Sequence, residues 1–127
     1  MSCRDGTRPP GPEIRRQMAC GVDMPRCKIT VIKRTLNPEL AGEYCQGEVT
    51  PCPCYKDGQE FVCGLDKPEG FCDWAWRDIH PFVAVLLTGG NFSHGIFEGW
   101  MKDERSMIAC CSDGIRPVVF RIERIDP

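Results

Sequence analysis

The stretch SMIACCSDGIRPVVFRIERI, residues 106–125, decides the fold. Two strand-like runs flank Asp113-Gly114, a dipeptide that readily takes the positive φ angles of a tight hairpin turn. In the second run Val118, Phe120 and Ile122 fall on one face by the two-residue period of a strand. An antiparallel pair with one buried face follows. Upstream, CKITVIKRT from Cys27 repeats the pattern, with Ile29 and Val31 on one side and Lys28, Thr30 and Ile32 on the other. GQEFVCG from Gly58 forms a further short strand bounded by glycines.

Two helical signals lie between the strands. In NPELAGEYC, Asn37 is placed as N-cap, Pro38 at the first helical position and Glu39 in the first turn, which predicts a short helix ending near Cys45. PEGFCDWAWRDIHPFVAVLLTGG, starting after Pro68 and ending at Gly89-Gly90, is the longest helical candidate. Pro81 removes a backbone donor and clashes with the preceding turn, so a kink or two abutting helices is expected there. The sum is an α+β fold: a small, mostly antiparallel sheet of about four strands with two or three helices packed on one face. A partly closed barrel is the competing architecture. Residues 1–26, with the Pro/Gly-rich GTRPPGPE and no apolar periodicity, read as a flexible arm with one helical turn around Glu13 to Met18; residues 27–127 read as a single domain. No internal repeat is visible.

A chain of 127 residues is long enough for one domain with a real core. Its 16 Lys+Arg against 18 Asp+Glu and pI near 5.7 supply no global attraction for nucleic acid or an anionic membrane. The longest apolar run, Phe82 to Leu87, is too short to cross a bilayer, and MSCRDGTRPPGPEIRRQ has no apolar signal segment. The expectation is a cytoplasmic protein. Ten cysteines in such a chain should be free, metal-bound or catalytic, because a secreted disulfide scaffold would need an export signal.

Cysteine placement narrows the chemistry. Pro53 favours an extended or turn backbone between Cys52 and Cys54, and in an extended chain residues two apart point the same way, which suits a shared metal. Cys72 falls on the inward stripe of the long helix with Ala75, Trp76 and Ile79, close to the helix N-terminus, whose partial positive charge favours a thiolate. Cys110 and Cys111, adjacent in a strand, point to opposite faces unless the backbone turns at Ser112-Asp113-Gly114. Together Cys52, Cys54, Cys72 and one of Cys110 or Cys111 are expected to make a four-thiolate site for zinc or an iron–sulfur cluster, in a redox or accessory role beside a larger oxidoreductase or other protein partner. The lack of a Cys-x-x-Cys pair excludes the zinc-ribbon and ferredoxin patterns.

Two further readings use the same residues. In the first, Cys72 is the nucleophile or acid/base group of a small enzyme, His80 assists, and Arg116, with Trp76, contacts an anionic substrate. In the second, the cysteines are small buried hydrophobes and the domain recruits a partner through an edge strand. For Arg116 the competing role is a salt bridge to Asp113 or a nearby glutamate. Trp74, Trp76 and Trp100 fit core or rim positions better than a stacking platform, because the surrounding charge is mixed. His94 follows GGNFS in a loop; that glycine pair lacks the spacing of a phosphate cradle.

The combination CPCYKDGQEF, PEGFCDWAW, GGNF and ACCSDGIRPVVFRIER resembles a family of small, uncharacterised, cysteine-containing proteins of bacteria and archaea, over about Cys27 to Ile125. The resemblance implies a compact single domain whose signature residues fall at Cys52, Pro53, Gly58, Phe71, Cys72, Trp76, Asp113, Gly114, Arg116 and Pro117. It brings no reaction with it. Cys3 and Cys20 lie outside the shared motifs, and Cys54 is less typical of them than Cys52.

Overall fold

The computed structural model describes residues 25–126; the arm expected over residues 1–26, with Cys3, Cys20 and the turn at Glu13–Met18, lies almost wholly outside them. Four strands, β1 (Arg26–Arg34), β2 (Glu60–Cys63), β3 (Ser106–Cys110) and β4 (Val118–Ile125), form one open antiparallel sheet in the order β2-β1-β4-β3. The α+β expectation holds and the sheet does not close. Among the described residues two helices accompany it, α1 (Pro38–Tyr44) and α2 (Asp73–Leu87), with a 3-10 turn at Gly95–Phe97.

The two-residue period sorts the side chains as the sequence requires. Cys27, Ile29 and Val31 of β1 and Val118, Phe120 and Ile122 of β4 are buried together, and Met107 joins them from β3. Against that face α2 lays Ala75, Ile79, Val83 and Leu86, an inward stripe at helical spacing. Each fully buried aliphatic or aromatic side chain here contributes about 1.5–3 kcal/mol. The opposite face is mixed: Lys28 pairs with Glu60 at 3.3 Å and Glu123 at 3.4 Å across three strands, while Val62 and Ile108 are exposed apolar residues on it. Between Val31 and Lys33 the register to β4 shifts by one, leaving Ile32 as the extra residue of a bulge.

Three local expectations change. Pro81 sits inside one continuous helix, not between two, because its ring lies on the exposed side while the stripe that anchors α2 is on the other. The helix starts at Asp73, with Cys72 as N-cap; the preceding residues form a turn in which Gly70 takes φ 81° and Phe71 donates its N–H to the Pro68 carbonyl at 3.2 Å. Finally, Asp113-Gly114 is not a two-residue hairpin turn. Neither residue has positive φ. Instead residues 111–117 bridge β3 and β4, because the Asp113 carboxylate accepts the N–H groups of Ile115 (2.9 Å) and Arg116 (3.0 Å) and so organises a longer loop.

Candidate functional site

The loop after α1 brings Cys52 and Cys54 to one end of the core, and three contacts pin it. Arg34 donates from Nη1 to the Cys52 carbonyl at 3.2 Å, and from Nε to Asp57 at 3.2 Å. Tyr55 is buried, its ring packed edge-on against Phe61, Phe71 and Phe120 at 5.3–6.0 Å between centroids. Its hydroxyl oxygen accepts the backbone N–H of Cys72 at 3.0 Å, tying the loop to the N-cap of α2. Tyr55 is the structural hub that sequence reasoning missed.

This geometry gathers three of the expected sulfurs. The backbone turns at Pro53-Cys54, and both Cys52 and Cys72 act electrostatically on the Cys54 thiol. Cys52 and Cys72 pack against the core while Cys54 is exposed. Burial pushes the Cys54 thiol up from its ordinary range, the nearby Cys52 and Cys72 sulfurs push the same way, and the Arg116 guanidinium opposes them. A thiolate formed at one of these sulfurs therefore holds Cys54 in its protonated form.

Cys110 and Cys111 diverge, as adjacent strand residues should. Cys110 is exposed at the end of β3, whereas Cys111 packs on the core with its sulfur accepting the Val118 N–H at 3.3 Å. The expected set of four thiolates is thus not drawn together. Among the described residues, no group of three or more His, Cys, Asp and Glu side chains is placed to hold a metal ion. All eight cysteines in these residues are free thiols.

His80 stands two helical turns beyond Cys72, its Nε2 3.2 Å from the Leu65 carbonyl and its ring 5.1 Å from Trp76. It does not meet the thiols. Trp76 packs half-buried against Phe71 behind the site, which fits the core reading of that residue. Trp74 and Trp100 are exposed, and Arg77 lies 5.5 Å above the Trp74 ring. His94 is bound by its neighbour Ser93 in an exposed loop.

Arg116 is the cation of the site. Asp113 grips its Nε at 3.0 Å, the ion pair expected at three-residue spacing. Burial pushes the Asp113 carboxyl up, but the N–H groups of Arg116 and Ile115 and the Arg116 side chain outweigh it and hold the carboxyl below the usual range. The loop carrying both is fastened from three directions. Thr35 donates its hydroxyl to the Pro117 carbonyl (2.6 Å), Asn37 donates to the Gly114 carbonyl (2.7 Å) rather than capping α1, and Asp78 of α2 accepts the Ser112 N–H (2.7 Å). Arg116 also lines an open cleft of about 410 Å³ with Cys45, Glu48, Val49, Thr50, Asp113 and Ile115. Comparison of the chain with protein-family models, curated proteins and solved structures gave no match. No described helix is long and apolar enough to cross a membrane.

Proposed function

We propose that the protein carries out thiol–disulfide chemistry at Cys72, Cys52 and Cys54. The tie between the Cys52–Tyr55 loop and the Cys72 N-cap, made by the Tyr55 hydroxyl, is the observation that carries the reading. Cys72 is the N-cap of a fifteen-residue helix, and Tyr55 holds its backbone N–H, so the sulfur is presented from a fixed position beside the Cys52 loop. Cys54, held as a thiol, supplies the second sulfur and a proton. In the balanced reaction the Cys72 thiolate attacks R–S–S–R and releases one RS⁻; a second protein thiol then attacks the Cys72 sulfur, releasing the other. Two protein thiols become one disulfide, and their two protons leave on two RSH.

The test is timed alkylation of the reduced protein, followed by peptide mapping after exposure to glutathione disulfide. Cys72 is expected to alkylate faster than an unstructured thiol, and the map is expected to show Cys72 linked to Cys54 or Cys52. Alkylation at the rate of a free peptide thiol, with no such link, overturns the reading. Stoichiometric zinc, or iron with acid-labile sulfide, in protein purified without oxygen would replace it by the metal site.

A further inference from the structure

We propose that the outer edge of β3 is a two-fold interface, through which a second copy of this chain extends the sheet. Antiparallel pairing turns the backbone groups of successive residues to alternate sides of a strand. Arg124 donates to the Arg105 carbonyl and Cys111 to the Val118 carbonyl, each at 3.1 Å, so the odd-numbered residues of β3 serve β4. Ser106, Ile108 and Cys110 therefore face outward. The Ser106 N–H turns back to the Asp103 carbonyl at 3.1 Å, whereas the N–H and C=O groups of Ile108 and Cys110 have no partner among the described residues. Sheet edges are ordinarily guarded by charge, proline, a bulge or a very short strand. β3 reads SMIAC and runs in unbroken register with β4, without any of the first three guards, while the other edge, β2, is four residues long and carries Glu60.

The unused groups fix the register of the join. A two-fold axis at Ala109 pairs Ile108 with Cys110 of the second copy, both hydrogen bonds are exchanged, and only the free groups are used. An axis at Ile108 would call on the Ser106 N–H, already held by Asp103, and an axis at Cys110 would call on the Ser112 N–H, already held by Asp78. Charge agrees: the Ala109 axis aligns Arg105 with Asp113 of the second copy, whereas an axis at Ile108 would align Asp103 with Asp113.

The same join brings apolar surface together. α2 packs on β3 and β4, and antiparallel two-fold pairing leaves both copies of α2 on one face of the joined sheet. The flank of α2 nearest β3 is marked by Asp78, which holds Ser112, and by Phe82, whose ring lies 5.9 Å from Phe92 and 6.5 Å from Phe97 in the loop leading to β3. Trp74, one turn before Asp78, and Val85, one turn after Phe82, share that flank. Ile96 and Trp100 are carried on the loop beside it. Trp74 is 60% exposed, Val85 37%, Ile96 90%, Trp100 70% and Ile108 44%. At about 150–250 Å² for a whole large side chain, they present roughly 450–750 Å². With the strand backbone added, that approaches the roughly 800 Å² each partner buries in a stable pair.

Sedimentation equilibrium of the reduced full-length protein, over a roughly hundredfold range of concentration, tests the interface. A species of twice the 14.3 kDa chain mass is expected, dissociating on dilution. Ile108→Lys places a charge on the pairing strand and Trp100→Ser trims the apolar flank, so each should raise the dissociation constant about tenfold or more. Val62→Lys, at a comparably exposed position on the other edge strand, should leave it unchanged. Circular dichroism checks that each variant is folded, and Trp100→Ser, outside the sheet, decides the matter if Ile108→Lys is not. A monomer at every concentration overturns the proposal and leaves the edge to residues 1–24 or to a different chain. A dimer indifferent to Ile108→Lys and Trp100→Ser overturns it too, and one broken by Val62→Lys instead places the contact at β2.

Discussion

At the scale of single residues, Tyr55 links the fold to the site. Its ring belongs to the aromatic group around Phe71, and its oxygen is the acceptor for the Cys72 N–H. Tyr55→Phe keeps the ring and deletes only the acceptor. Leaving a half-buried N–H without its partner costs about 1–3 kcal/mol, so the unfolding free energy should fall by that amount, read as a lower urea midpoint with the slope unchanged. A fall below about 0.5 kcal/mol would mean that water replaces the hydroxyl. Nothing local announces this contact, because seventeen residues separate the pair. The Asp113–Arg116 pair, by contrast, is legible at three-residue spacing.

At the scale of elements, α2 shows how a helix end is specified. Gly90 donates to the Val85 carbonyl at 2.8 Å and Gly89 to the Leu86 carbonyl at 3.3 Å, with Gly89 at φ 88°. Arg124 donates to the same Leu86 carbonyl from β4, placing a cation at the negative end of the helix. A Cβ on Gly90 would come within 2.9 Å of both the Val85 side chain and its carbonyl oxygen. Gly90→Ala should therefore cost about 1–3 kcal/mol, while Gly64→Ala, which meets open space at ordinary φ, should stay within about 0.5 kcal/mol. Thermal melts of the two variants check this; equal melts would show that the helix end yields. The glycine pair was readable as a stop signal, and so were the strand periods of β1 and β4. The start of α2 was not, since Phe71 and Cys72 continue the helical apolar stripe while Gly70 turns the backbone away from it. Nor was the long β3–β4 loop, because Asp-Gly suits a tight hairpin equally well until Asp113 finds the two N–H groups beyond it.

At the scale of the whole molecule, the cysteines of the described residues divide into those buried in the core and those part-buried or exposed outside it, and composition alone could not divide them. Cys27 and Cys63 stand opposite one another in the β1–β2 register, both buried, which places two thiols in the layer that joins the edge strand to the sheet. Burial pushes Cys27 up to about 11, partly offset by Arg124, and pushes Cys63 up to about 12, with the Cys27 charge adding to it. Both thiols keep their protons in the folded state at pH values where the unfolded chain has lost them. Stability is then fully present below the ordinary thiol range and drains away as pH rises from about 9 toward 11 and 12. Each thiol contributes a slope of about 1.4 kcal/mol per pH unit within its window. Lysines and tyrosines titrate there too, so the informative quantity is the difference from Cys63→Ala. That variant should be less stable at pH 7, for the sulfur it no longer buries, and should lose stability more slowly with alkali by about one thiol's slope. Urea midpoints from pH 8 to 10.5 measure it. Parallel curves would mean that the β1–β2 edge opens before its thiols ionise, leaving β2 as the weakest strand of the sheet.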